Sequence, residues 1–418
     1  MSERLIADLR AQGLLPPDYA GRGLANVPAT VVELLGAARD GDLPALADLD
    51  PALREGVRAV VVILADGLGA AQLSRLVAGG DMPFLATILE RARRGDAAQL
   101  LQITSVFPST TAAAITTMNT GRTPQEHGNL AYFCWLEEFG QVAQMLRWGP
   151  ATARRGSFFD DRRNDPARHV RVASIHRRLR EHAAVSYLIE PEHFRREAMT
   201  RMHASEAEFV GYVLPTTMGV RLRELLEAMP WRDRPVYAYA YWAGIDTAGH
   251  LYGPRGAEHG LEASAFDRVV AHALADRPAG DVLVIVTADH GHALVDPDRL
   301  IDLEGDQELR SLLRAPVAGE PRLAFLHSDH PDRVREHLER RWTGAFSFLD
   351  RDEAIDAGLF GVGDATLARR RVGDVCAMLT DDRAATVVRV GGHDFYHRGA
   401  HGGMTHDEMR VPVLAWRA

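Results

Sequence analysis

Three apolar runs in this 418-residue chain end on residues of the kind that bind metals. Asp66 follows "VVVILA", Asp246 follows "YAYWAGI", and Asp289-His290 follows "VLVIVTA". A carboxylate at a buried strand end costs solvation free energy unless a cation meets it. Taken singly, each is explained as an Asp capping the next turn. Taken together, in a chain that holds no lysine, they point to metal. "DTAGH" sets Asp246 and His250 four residues apart, which is one face of a helix. "DHG" (289–291) offers adjacent donors and a glycine at which the chain can turn away. His401 lies among glycines in "RGAHGGMTHDEMRVPVL", and glycine permits close backbone approach. Neutral imidazole and carboxylate oxygen are ordinary zinc ligands outside cysteine sites. Asp66, Asp246, His250, Asp289, His290 and His401 are too many donors for one tetrahedral ion. Two ions about 3.5–4 Å apart, clamping an in-line phosphoryl transfer, use them all.

A nucleophile completes that arrangement. "SVFPSTTAAAITTMNTGRTPQEHG" (Ser105–Gly128) stacks Ser109, Thr110 and Thr111 at the mouth of an alanine-rich helix, with Gly121 as its C-terminal residue. Hydroxyls there cap helices, and that explains whichever threonine is not the nucleophile. The helix N-terminus also offers unpaired N–H groups and partial positive charge to a phosphate. Coordination to zinc lowers a hydroxyl's pKa, so Thr110 or Thr111 attacks as an alkoxide without a separate base.

Positioning such groups takes a sheet whose strands end together. The runs "AVVVILADGLG" (59–69), "PVYAYAYWAGID" (235–246), "DVLVIVTADHG" (281–291) and "VPVLAW" (411–416) have the β-branched, unbroken apolar character of strands covered on both faces. Helical patterns such as "MGVRLRELLEAM" (218–229) and "LEASAFDRVVAHALAD" (261–276) lie between them. The alternation predicts an α/β fold: a doubly wound, mostly parallel sheet with helices on both faces. Ligands of such sheets bind beyond the carboxyl ends of the strands, where these donors fall. Residues 1–56 read as a helical lead-in, with "PATVVELLGAAR" (28–39) its clearest helix. The catalytic core is expected over 57–299 and 386–418. The charged stretch 300–385 carries its own short strands and helices and is expected to be an inserted α+β cap subdomain.

At this level the chain resembles the alkaline phosphatase superfamily, and most closely its nucleotide pyrophosphatase/phosphodiesterase branch and that branch's bacterial relatives. "ADGLG", "FPSTTAAAITTMNTGRTPQEHG", "YWAGIDTAGHLYGP", "TADHGH" and "GAHGGMTHDEMRVPVL" carry the resemblance, in family order. The resemblance implies one zinc on Asp246, His250 and His401, and a second on Asp66, Asp289, His290 and the nucleophile. Counting from Phe107-Pro108, it makes Thr111 that nucleophile. It implies a phosphodiesterase or nucleotide pyrophosphatase with a covalent phospho-enzyme intermediate and two Zn2+, with Mn2+ or another divalent ion as the alternative. One position departs: the Asn expected three residues after the nucleophile is Ala114. The backbone N–H of Thr111 or Ala112, or Asn129, is then the oxyanion donor, and Phe107 and Asn129 are candidate substrate contacts.

The remaining sequence features narrow the alternatives. A net charge of -9 leaves no basic footprint for nucleic acid, so a small phosphodiester or nucleotide is the expected partner. No stretch reaches the roughly 18 apolar residues of a membrane span. Cys134 and Cys376 are too few for a disulfide framework. The start "MSERLIADLR" has no secretory pattern, which makes the cytoplasm the expected location. A sulfatase needs Cys or Ser in a C/S-x-P-x-R context, and none occurs. Phosphomonoesterase is the competing activity, and a non-catalytic metal-binding module the competing class. His127 is expected to pack beneath the nucleophile helix. His327, His330, His393 and His397 are expected to be loop or satisfied histidines, 154–169 a solvated loop, and Phe158 and Phe159 ordinary packing residues.

Overall fold

The computed structural model describes residues 2–153, 164–204, 206–228, 230–381 and 383–418. Phe158 and Phe159 lie outside the described residues. The β-branched run Ala59–Ala65 is buried at every position, as its sequence requires. It pairs in parallel with Val236–Trp242 on one side and Val282–Thr287 on the other. These are the inner strands of a seven-stranded sheet. Its order is Ala98–Thr104, Arg410–Arg417, Val282–Thr287, Ala59–Ala65, Val236–Trp242, Val185–Pro191 and Glu208–Tyr212. Only Arg410–Arg417 runs against its neighbours. Parallel pairing in register carries Ala65, Trp242 and Thr287 to one edge, so Asp66, Asp246 and Asp289 emerge side by side. The lead-in helix is shorter than its pattern: it spans Asn26–Leu34 and stops before Gly36, whose φ is +72°.

A second sheet is antiparallel throughout and also has seven strands. Ala318–Glu320, Leu323–Leu326, Phe346–Asp350 and Val375–Leu379 come from the 300–385 stretch. Phe133–Leu136, Gln141–Gln144 and Gly149–Pro150 come from far upstream, joined where Gly319 pairs with Phe133. The lobe therefore extends beyond the boundary that composition indicates, because antiparallel pairing recruits strands regardless of sequence distance. Its neck is closed by Leu300–Ile301 pairing with Ala385–Thr386.

Alternation decides how the lobe docks. Leu323, Phe325, Cys376 and Met378 face a cluster with Phe107, Met404 and Met409 of the core motifs. Ala324, Leu326, Val375, Ala377 and Leu379 face the lobe's own helix Pro331–Arg341 through Val334 and Leu338. Each face is buried, so the period-2 pattern locks one register. A buried ion pair adds a second tie: Arg322 Nε lies 3.0 Å from Glu408 Oε1, both fully buried. Glu408 also accepts from the N–H groups of Gly403 at 2.7 Å and Thr405 at 3.2 Å, holding the loop after His401. Among the described residues no helix is long and apolar enough to cross a membrane.

Two outcomes follow from this packing. Glu408→Ala strands the Arg322 guanidinium in the interior and is expected to cost about 3–5 kcal/mol, measured as a lowered urea midpoint. Burial pushes the Glu190 carboxyl, on the strand Val185–Pro191, from its ordinary 4.5 to about 7. Between those values the native chain holds a proton that the unfolded chain has released. Stability therefore falls as pH rises through that window and levels off above it. Glu190→Gln is expected to flatten this slope in a plot of thermal midpoint against pH.

Candidate active site

The three hydroxyls before the alanine-rich helix do three different things. Ser109 accepts from the Gly402 N–H at 3.1 Å and donates to Gly403 O at 2.8 Å, tying this loop to the loop of His401. Thr110 occupies the cap position of the helix Thr111–Thr120, yet its side chain makes no capping bond and meets the Glu320 carboxyl instead. Thr111 points its Oγ1 to within 3.2 Å of His290 Nε2. The first turn of the helix thus keeps its amide groups free of a side-chain cap, beside the Thr111 hydroxyl. Gly121 closes the far end with φ +65°.

Around Thr111 the six sequence-derived donors converge. His290 Nε2 lies 3.3 Å from Asp289 Oδ2 and 3.5 Å from Asp66 Oδ1. Asp246 Oδ1 lies 3.3 Å from His250 Nε2 and 3.8 Å from His401 Nε2, and those two nitrogens are 3.2 Å apart. The helix Gly244–Tyr252 brings Asp246 and His250 to one face. Donor spacings near 3.3 Å are the edges of a tetrahedron with metal bonds of about 2.0–2.1 Å. Each of the three imidazoles gives its Nδ1 to a backbone carbonyl: His250 to Gly399 at 2.7 Å, His290 to Gly291 at 3.1 Å, His401 to Ser109 at 2.8 Å. That fixes the Nδ1–H tautomer and leaves the Nε2 lone pair facing the centre. The rings of His290 and His401 stack with centroids 3.6 Å apart.

The electrostatics call for cations. Burial, then Asp289 and Asp246, push the Asp66 carboxyl well above its ordinary range. Burial opposes ionisation of Asp246 too, but His250, His292 and His401 hold its carboxyl well below the usual range. Burial pushes His401 well below the ordinary imidazole range and lowers His250 as well, the direction a metal donor needs. Asp66 Oδ1, Asp246 Oδ1 and Asp289 Oδ2 are buried without a hydrogen-bond partner. Among the described residues, the groups within ion-pair distance of these carboxylates are histidines. The donors fit divalent metal: ligand atoms of Asp246, His250, His292 and His401 lie within reach of one ion, and those of Asp66, Asp246 and His290 within reach of another.

Other expectations land elsewhere. Asn129 does not line the cavity: its amide donates to Thr116 Oγ1 at 2.8 Å, beneath the helix, beside Met199 and Met202. Phe107 is buried against Phe360, with ring centroids 5.3 Å apart, and serves the packing between lobes. His127 bonds Thr117 under the helix at 3.0 Å. His327 is buried in the second lobe, and His330 and His393 are exposed. His397 lines the cavity and packs on His250 at 4.4 Å between ring centroids.

The cavity above Thr111 holds about 520 Å³. Tyr132, Phe133, Arg147 and Glu320 of the second lobe form its far wall. No motif marks them, because their place depends on the antiparallel pairing of distant strands. His292 is the other residue without a motif role. It is the final residue of "TADHGH", and its Nε2 lies 3.1 Å from Asp246 Oδ1.

The fold has solved counterparts. Murine ectonucleotide pyrophosphatase/phosphodiesterase 5, solved with AMP, superposes with a TM-score of 0.62 at 17% identity, over 85% of this chain and 87% of that one. The human counterpart gives 0.63 at 16% identity over the same shares. Phosphonoacetate hydrolase from Sinorhizobium meliloti, solved with phosphonoacetate, gives 0.60 at 20% identity over 86% and 90%. No curated protein matches by sequence. Residues 60–403 match the family described as type I phosphodiesterase / nucleotide pyrophosphatase. With that match spanning every element of the site but the last strand, the chain belongs to this family of phosphoryl hydrolases.

Proposed function

We propose that this chain hydrolyses a small phosphodiester or nucleotide pyrophosphate bond in two displacements, with Thr111 as the nucleophile. The observation that carries the reading is the Thr111 hydroxyl at an uncapped helix N-terminus, 3.2 Å from His290 Nε2, the ring nitrogen that also stands beside the unpartnered carboxylate oxygens of Asp66 and Asp289. Asp246, His250 and His401 would hold one divalent ion, and Asp66, Asp289, His290 and Thr111 the other. Histidine with carboxylate favours zinc, with Mn2+ as the alternative. When bound, such ions supply charge that lowers the pKa of a hydroxyl and stabilises attacking and leaving oxygens.

The chain's own groups do the rest. The Thr111 oxygen attacks phosphorus as the bond to the leaving oxygen breaks, and the Thr111 proton ends on that leaving oxygen, giving a phosphothreonyl diester and the free alcohol or phosphate. Water then attacks phosphorus from the vacated side, the Thr111–phosphorus bond breaks, and the configuration at phosphorus is retained overall. Backbone N–H groups of Thr111 and Ala112 face the non-bridging oxygens in the role that the sequence leaves open at Ala114. Glu320 is pushed up to about 8 by burial, so at neutral pH it stays protonated and adds no fourth negative charge near the substrate. The solved murine relative holds AMP, which agrees with a nucleotide as one class of substrate. Arg147 in the cavity wall favours a second reading, phosphomonoesterase, because a monoester carries an extra charge that a guanidinium meets.

Hydrolysis of bis-p-nitrophenyl phosphate and p-nitrophenyl phosphate, with and without zinc, separates the readings. Diesterase activity predicts faster turnover of the first; preference for the second, lost in Arg147→Ala, establishes the monoesterase instead. Thr111→Ala is expected to retain metal and to lower kcat by about three orders of magnitude or more. Thr110→Ala, which removes only the contact to Glu320, is expected to stay within about tenfold of the parent. If Thr110→Ala is the inactive variant, the nucleophile is assigned one residue too late. His250→Ala is expected to lose one equivalent of zinc by elemental analysis, and full metal content would refute the ligand assignment.

A further inference from the structure

His292 sits inside the donor cluster, nearly fully buried, yet differs from the other imidazoles there. His250, His290 and His401 each give Nδ1 to a backbone carbonyl, which leaves Nε2 a free lone pair. His292 Nδ1 has no carbonyl behind it, and neither of its ring nitrogens meets a hydrogen-bond partner in good geometry. The acceptor within reach of the ring is a carboxylate oxygen on the Nε2 side, so an Nε2–H is the proton this ring can donate. Nε2 faces Asp246 Oδ1 at 3.1 Å, a hydrogen-bonding distance that a small turn of the carboxylate aligns.

The outer partners of the remaining donors point the same way. Asp66 receives the Tyr241 hydroxyl. Asp289 Oδ1 accepts the N–H groups of Gly67 and His290, each at 3.0 Å. Asp246 alone among the carboxylates has its metal-facing oxygen beside a ring nitrogen with no carbonyl behind it. The chain also clears space for this ring. A Cβ on Gly67, whose φ is +74°, would come within 2.6 Å of His292 Cε1, and one on Gly249 within 2.8 Å. Gln72 Nε2 holds the His292 carbonyl at 2.9 Å.

We infer that His292 is a positioning residue rather than a metal ligand: its Nε2–H donates to Asp246 Oδ1 and aims that carboxylate at the ion shared with His250 and His401. The inference rests on the metal-dependent reading of the site. Outer donors of this kind alter metal affinity by about 10–100-fold when removed.

The test begins with the intact protein, labelled with 15N-histidine and loaded with 113Cd. Nε2 of His250, His290 and His401 is expected to show coupling to cadmium, while His292 Nε2 shows a bonded proton and no coupling. Coupling at His292 would overturn the inference and make it a fourth ligand. Zinc affinity is then measured by chelator competition. His292→Met, which lacks the donor, is expected to weaken one of the two sites about 10–100-fold and leave the other unchanged. His292→Gln, whose amide donates, is expected to restore affinity to within about threefold of the parent. Parental affinity in His292→Met at both sites would also overturn the inference. A parent protein that takes up no tightly bound zinc or cadmium refutes the metal reading itself, an outcome distinct from either.

Discussion

Three carboxylates brought to one point are the constraint on which the structure depends. Asp66 and Asp289 stand just beyond the ends of adjacent parallel strands, Asp246 stands in the first turn of the helix after the third, and like charges in a low-dielectric site repel strongly. Arginine, the only basic side chain this sequence contains besides histidine, does not meet them at ion-pair distance among the described residues. What surrounds them is a shell of imidazoles, of which His250, His290 and His401 turn Nε2 inward. Such a shell is unfavourable as a salt-bridge network and favourable as a cation site. The helix of Thr111 and the glycine loops near His401 and Gly67 are arranged around that centre.

Holding donors to a few tenths of an ångström takes outer partners, and the fold supplies them from backbone. Gly399, Gly291 and Ser109 provide carbonyls, and Gly67 and His290 provide amides. Backbone groups at strand ends and tight turns cannot change rotamer, so the orientation is set when the sheet forms. Ser109 links two of these loops directly, which couples the position of the Thr111 helix to that of His401.

The second sheet does different work. It contributes none of the carboxylate or histidine donors, yet it forms the cavity wall opposite them. Its apolar alternation buries one face on the core motifs, and the Arg322–Glu408 pair ties it to the loop of His401. The donor cluster and the far wall are thereby carried by separate sheets that meet at one cavity.

Much of this was legible in the residues. Unbroken apolar runs ending in Asp read as inner strands of a parallel sheet, and strand ends in register share an edge, so Asp66, Asp246 and Asp289 were expected to lie together. Local spacing placed His250 on the helical face of Asp246 and His290 beside Asp289. The limits of that legibility are physical as well. Asn129 and Phe107 lie in a motif with the right residue types, but burial turned one beneath the helix and the other into the packing between lobes. Thr110 has the identity of a cap, and a carboxyl from a distant strand took its hydroxyl. His292 needed the ring environments to be seen, because a tautomer is set by what stands behind each nitrogen. Glu320, Tyr132 and Arg147 needed the pairing of Gly319 with Phe133. Sequence determined the donors and the order of the strands that carry them, since those depend on local pattern. Tertiary structure alone decided which side chains face the cavity and which proton sits where, since those depend on contacts between residues far apart in the chain.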